Sequence, residues 1–289
     1  MALIKVVTDS TADIPEELIA KWDITIVPLK VHFGTRSYLD GLTITAAEFY
    51  DKLRGQEELP TTSQPSPSEF VEAYQKIARE AGEDVQIISV HLSSVLSGTY
   101  QSAKMAQNML ADSIDIEVID SKKASYVLGM IVTSVAEAAK QGKSKAECLA
   151  LAKRMMNASV VYFMVDTLHY LQKGGRIGKA SALVGSLLNI KPILSLDEEG
   201  YVYPVEKVRG SKKALLRIFH YLQEYAESDP VHVAICHADA HDQAEQIMHQ
   251  INDRFQVQSS VVTEIGPVIG THVGPKTIGL MMYKEKEEE

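Results

Sequence analysis

A chain of 289 residues, 45% of them hydrophobic and 23% charged, is long enough for two domains of similar size, and two domains imply a cleft. Its formal net charge of −9 excludes a broad nucleic-acid surface, because phosphate neutralisation needs Lys and Arg clustered over a whole face; any basic patch must be local. The start, MALIKVVTDS, has no charged segment leading into a long apolar one. No stretch approaches ~18 uninterrupted apolar residues, so the cytoplasm is the expected compartment. Cys148 and Cys236 stand in no CxxC or zinc-ligand spacing and read as reduced thiols.

From the N-terminus, LIKVVT (3–8), VQIISV (85–90) and IEVI (116–119) are short and rich in Ile and Val, and each is followed by polar turn residues and a helical pattern. That alternation predicts a parallel α/β sheet. Residues 24–34 read as a strand, 35–41 as a turn and short return, and 45–53 as a helix. Ser66-Pro67-Ser68-Glu69 matches a capping box with proline at the first helical position, so a helix begins at Pro67. Thr61, Thr62, Ser63 and Gln64, held between Pro60 and Pro65, are then an extended loop that presents its side chains. Helices follow at about 97–111, 124–141 and 144–156.

The pattern restarts at VVYFMV (160–165). Further strands are expected near 192–196, 201–205, 231–236, 259–265 and 277–283, with helices near 179–188, 211–227 and 241–253. The boundary is placed near residue 158, giving domains of 1–158 and 159–289. No internal repeat is evident, and only the acidic tail, 285–289, has a composition that need not fold.

In an open parallel sheet, ligands gather outside the carboxyl ends of the strands. Those ends carry Thr8-Asp9-Ser10-Thr11, Ser93-Ser94 with Ser97-Gly98-Thr99, and Asp120-Ser121, and a helix starting near Ser97 would add free backbone N–H groups. Together these describe an anion cradle. Capping is the ordinary role of Ser10, Ser66 and Ser121, but the run at Ser93 and Ser94 exceeds what capping needs.

A phosphate loop is not evident. In GGRIGKAS (174–181) the glycine spacing is too short for a Walker A motif, and Ala180 stands where Ser or Thr would reach magnesium. Ser93 sits in no G-x-S-x-G elbow. Asp9 lacks a second aspartate two residues on, position 11 being Thr, and reads as a cap. CHADAHD (236–242) could offer His237, Asp239 and His241 to a metal, or simply turn a strand into a helix. GPVIGTHVGPKTIG (266–279) breaks the chain with glycines and prolines around His272, which is either an oriented donor to an anion or a turn residue. Two local basic groups, Lys173/Arg176/Lys179 and Lys207/Arg209/Lys212/Lys213, are solvated faces or docking points for an acidic partner or a phosphate.

The same segments carry a family resemblance. VTDSTADIP, TTSQPSPSEF, LSSVLSGTYQSA, LHYLQKGGRIGKA, NIKPIL and GTHVGPKTIG occur in the order and approximate spacing of the DegV family, bacterial fatty-acid-binding proteins that serve a fatty-acid kinase. The resemblance runs nearly end to end and implies a two-domain α/β fold: a parallel N-terminal domain, a mixed-sheet C-terminal domain, and a fatty acid in the cleft between. By residue it points to Thr61 or Thr62, Ser93 or Ser94, and His272 as carboxylate contacts, and to Arg176 and Arg209 as part of the surface that meets the kinase. Lys276 departs from the family, where glycine often follows G-P, and bears on the shape of that turn.

The carrier so implied is not itself a catalyst and uses no cofactor or metal. Its ligand is a long-chain fatty acid, and its partners are the ATP-dependent kinase and, transiently, a membrane surface, with no nucleic acid. The acyl phosphate formed would feed phospholipid synthesis. A mostly neutral cradle of hydroxyls and one imidazole would satisfy the carboxylate while leaving its oxygen nucleophilic. Two other readings compete: a phosphoryl-transfer or hydrolytic enzyme that holds a phosphate in the hydroxyl loop, and a sensor of lipid occupancy.

Overall fold

Strand β1 (Ile4–Asp9) is Ile-Lys-Val-Val-Thr-Asp, and its last residues are buried on both faces, as a central parallel strand requires. The computed structural model describes residues 3–56, 58–82, 84–185 and 190–284. After β1 come α1 (Glu16–Trp22), β2 (Ile24–Val27), β3 (Lys30–Phe33), β4 (Arg36–Leu39), α2 (Ala46–Arg54) and β5 (Thr61–Ser63). Next are α3 (Pro67–Ala81), β6 (Gln86–His91), α4 (Thr99–Met109), β7 (Asp115–Asp120), α5 (Tyr126–Lys140) and α6 (Lys145–Ala158). The rest is β8 (Val160–Met164), α7 (His169–Lys173), β9 (Ile190–Leu196), β10 (Val202–Arg209), α8 (Ser211–Ala226), β11 (Val231–His237), α9 (His241–Asn252), β12 (Val257–Glu264), α10 (Pro267–Val273) and β13 (Ile278–Lys284).

The first sheet is parallel, in the order β2-β1-β6-β7. A six-stranded sheet, β10-β9-β8-β13-β11-β12, is antiparallel except for its β11–β12 pair. The fold is therefore α/β with one parallel and one mixed sheet. A small antiparallel sheet, β4-β3-β5, adds a third layer.

The capping box expected at Ser66 is present: Ser66 Oγ accepts from Glu69 N–H and the Glu69 carboxylate accepts from Ser66 N–H. Thr45 and Ser144 cap α2 and α6 in the same way. Four expectations change. Residues 24–34 divide into β2 and β3, which belong to different sheets, because Pro28 between them has no N–H to continue the ladder. Residues 61–63 pair with β3 as a strand, because β3 leaves an open edge there. Gly178–Leu183 is a 3-10 turn where a helix over 179–188 was expected, the last residues of that span lying outside the described ones. His272 sits on a short helix, α10, not in a loop. The acidic tail at 285–289 and Asn189 of NIKPIL also lie outside the described residues.

One hydrophobic cluster joins both large sheets. It includes Val6, Val90, Leu128 and Ile131 from the first half and Val161, Cys236, Ile265 and Met281 from the second. Polar contacts cross the same seam: Tyr50 Oη donates to Ile265 O at 2.9 Å and Thr263 Oγ1 to Asp13 O at 2.9 Å. The seam is where a cavity opens.

Candidate functional site

Facing strand ends and helices enclose a cavity of about 940 Å3, counted with its open mouth. Its walls are mostly apolar: Leu29 and Leu92 after β2 and β6, Val161 and Phe163 from β8, and Val268 and Ile269 from α10 are among them. At one end the lining becomes polar, with Thr62, Gln64, Ser97, Arg176 and His272.

Thr62 Oγ1 and His272 Nε2 lie 2.8 Å apart, so β5 and α10 present one hydrogen-bonded pair to the cavity. Burial, and then the nearby Arg176 charge, push the His272 imidazole down to about 4. It is therefore neutral at pH 7. Its Nδ1 is buried without a hydrogen-bond partner among the described residues and lies against Gly174, where a Cβ would come within 2.2 Å of it. Only glycine fits there.

Arg176 is exposed at the mouth. Its Nε donates to Leu96 O at 3.0 Å and its Nη1 to Gly174 O at 2.8 Å. These carbonyls fix the guanidinium without neutralising it, and it makes no ion pair among the described residues. The polar end, expected to be a mostly neutral cradle, thus also has a cation beside the imidazole.

The other expected contacts lie off the cavity wall. Thr61 is exposed, because neighbours on a strand point to opposite faces and Thr62 takes the inner one. Ser93 is fully buried and donates to Gly200 O at 3.3 Å. Ser94 Oγ donates to Asp120 at 2.5 Å, and Ser94 N–H to the same carboxylate at 3.1 Å. Leu92, Leu96 and Ser97 represent that loop in the cavity instead. Arg209, exposed at the end of β10, is not part of the lining.

Gln64 and Ser97 were legible only as members of polar runs. What distinguishes them is position: Gln64 approaches Gly98, where a Cβ would lie 3.0 Å from its amide nitrogen, and Ser97 Oγ sits 2.9 Å from Thr99 Oγ1.

A serine, histidine and aspartate do line up elsewhere. Ser89 Oγ is 2.7 Å from His91 Nε2, and His91 Nδ1 is 2.9 Å from Asp9. All three are fully buried, with Tyr74 Oη donating to Ser89 at 2.8 Å, so no substrate reaches the hydroxyl. The row ties β1 to β6, and Asp9 caps the following turn through Thr11 N–H. At CHADAHD, Asp239 pairs with Arg54 while the His237 and His241 rings stand 5.4 Å apart. Among the described residues, no group of three His, Cys, Asp or Glu side chains could hold a metal ion. No described helix is long and apolar enough to cross a membrane.

A parallel and a mixed sheet, joined over an apolar cavity with one polar end, define an α/β protein built around a pocket between its two large sheets. Residues 3–285 match the family model described as "Uncharacterised protein, DegV family", and the chain belongs to the DegV family. It is 39% identical over 287 residues to a DegV domain-containing protein of Halalkalibacterium halodurans, covering 99% of this chain and 100% of that one. Two solved structures superpose at a TM-score of 0.90. One, from Thermus thermophilus, is described as fatty acid binding of a DegV family protein; it is 35% identical, covering 98% of this chain and 99% of that one. The other, DegV of Bacillus subtilis, is described as a fatty acid binding protein; it is 36% identical, covering 99% and 100%.

Proposed function

We propose that this protein binds one long-chain fatty acid, carboxylate at the Thr62–His272 end and acyl chain along the apolar cavity, and presents the carboxylate to a separate ATP-dependent kinase. The observation that carries the reading is the cavity itself: apolar along its length, and polar at one end around a buried neutral imidazole. The fatty-acid-binding descriptions of the two solved relatives support the same ligand class.

The chemistry of the polar end suits a carboxylate. An anion taken out of water costs several kcal/mol unless its oxygens are hydrogen-bonded. When neutral His272 carries its proton on Nε2, Nε2–H donates to Thr62 Oγ1, and the Thr62 hydroxyl proton is then free for one carboxylate oxygen. Arg176 supplies charge at the mouth from a fixed position. The second oxygen faces outward, where a kinase can bring the γ-phosphate of ATP; the acyl phosphate stays on the carrier until release. Burial of the tail supplies most of the affinity, at ~0.8 kcal/mol per methylene before the entropy of binding is counted. In this reading the chain catalyses nothing by itself, and its partners are the lipid and the kinase.

The test is mass spectrometry of an organic extract of the purified, unsupplemented protein, followed by fatty-acid titration of the delipidated protein and its Thr62→Val and His272→Ala variants. A stoichiometric fatty acid is expected, with each variant weakened about tenfold, the size of one lost hydrogen bond to a charged group. A protein that is empty on extraction and refuses added fatty acid overturns the reading.

A further inference from the structure

The apolar cavity ends at a wall, and a second cavity lies behind it. On β13, residues 279, 281 and 283 share one face of the sheet, and their partners on β11 are Cys236, Ala234 and His232. Gly279, Met281 and Cys236 line the front cavity. Tyr283 and His232 line the second, a cleft of about 1480 Å3 counted with its mouth, together with Trp22, Tyr126 and Met130. Helix α5 follows the same order, since Ser125 at its start belongs to the front cavity and Tyr126 and Met130 to the back one. The two cavities are successive stretches of one seam between α5 and the mixed sheet. A single row separates them: Met281 and Ala234 on the sheet, and Tyr126 on the helix.

The partition is closed. Met281 is 2% and Tyr126 3% exposed. The Cys236 thiol packs against the partition, with its Sγ 3.8 Å from Met281 Sδ. Just in front of the partition, Gly279 leaves room. A Cβ there would meet Met281 Cε at 3.6 Å, Phe163 Cβ at 3.7 Å and Cys236 Cβ at 3.9 Å. These are ordinary contacts, so a methyl group fits without strain and takes its space from the cavity.

We propose that Met281, backed by Tyr126, is the end stop that sets the longest acyl chain the pocket accepts, and that Gly279 keeps the last stretch of the tail path open. This inference rests on the fatty-acid reading above. Methionine suits an end stop that is firm but adjustable, being unbranched and free to change rotamer. Shortening it joins the front cavity to the back one. A longer tail then runs on along the seam, and each further methylene buried raises affinity about fourfold.

The test is a competition series from lauric through myristic, palmitic and stearic to arachidic acid, on delipidated wild type, Met281→Ala and Gly279→Ala. In the wild type, affinity rises with chain length to an optimum and then falls. Met281→Ala moves the optimum toward longer acids, with arachidic acid binding at least tenfold tighter than to wild type. Gly279→Ala moves it toward shorter acids, and because it adds a methyl group without leaving a void it carries the test if Met281→Ala folds poorly. An unchanged optimum in Gly279→Ala and in folded Met281→Ala overturns the end stop while leaving fatty-acid binding intact. Failure of the wild type to bind any acid in the series overturns the fatty-acid reading instead.

Discussion

Asp40 and Asp13 converge on the start of α10, where the two halves of the molecule meet. A Cβ on Gly266 would lie 2.9 Å from Asp13 Oδ1 and 3.3 Å from Asp40 Oδ1, so glycine alone lets both carboxyls approach that backbone. Asp13 is well supplied: Ser125 Oγ donates to it at 2.6 Å and Gly266 N–H at 2.9 Å. Burial still holds its carboxyl well above the usual range. Asp40 is poorer, with its Oδ2 buried and unpartnered among the described residues, and burial pushes it up to about 7. A carboxyl whose folded value is raised favours folding when protonated. Its contribution is complete below the unfolded value and is lost as pH rises through about 7. Asp40→Asn should therefore leave stability near pH 4 almost unchanged and raise it at pH 8 by a few kcal/mol, a shift of several degrees in melting temperature. Thermal melts of both proteins at the two pH values decide this; equal melting temperatures at pH 8 would mean that Asp40 ionises in the fold without penalty. The buried position of Asp40 could not be read from its neighbours, because Tyr-Leu-Asp-Gly has the composition of an exposed turn.

At the scale of elements, α10 is where local reading and structure part most clearly. Its glycines suggest a broken loop, yet Pro267 at the first helical position starts a helix and Gly274, at φ 77°, ends it. Gly270 serves packing. A Cβ there would come within 2.7 Å of Tyr50 Oη and 2.8 Å of the Phe49 ring, so its absence lets α10 lie flush on α2. Tertiary contact outweighs the ~1 kcal/mol that glycine costs a helix. Gly270→Ala should lift α10 from α2 and draw His272 away from Thr62, with fatty-acid affinity falling tenfold or more and melting several degrees lower. Unchanged affinity in titration would show that another contact positions His272. By contrast, the starts of α2, α3 and α6 were legible because a capping box is local chemistry, a hydroxyl and a carboxylate three residues apart. Lys276 adopts φ 61°, a left-handed conformation that costs a side chain and costs glycine nothing, so the lysine there is held by its surroundings and not by its own preference.

At the scale of the whole molecule, the function proposed above requires a surface on which a kinase docks. Strand β10 runs from Val202, in the cavity wall, to Arg209 at its other end, about 23 Å at the usual rise per residue. In that proposal Arg176 at the mouth and Arg209 at the far end of the strand are the two ends of the docking face on an otherwise acidic protein. Since Arg176 also borders the ligand, Arg209 is the cleaner probe. Arg209→Glu should abolish acyl phosphate formation by the partner fatty-acid kinase with ATP while leaving fatty-acid titration unchanged. Loss of lipid binding in this variant would place Arg209 in the structure of the carrier; undiminished phosphorylation would remove it from the docking face.

By itself the sequence determined the α/β class, the parallel strands of the first half, the helix caps and the polar character of the segments around Thr62 and His272. Those follow from periodicity and cap chemistry within a few residues. Only the tertiary structure decided that Thr62 and His272, 210 residues apart, share a hydrogen bond, that Ser94 turns to Asp120, and that one row of side chains divides the seam into two cavities. Such choices rest on sheet order and on packing between distant segments, where many partners satisfy the same local pattern and the closest-packed arrangement selects among them.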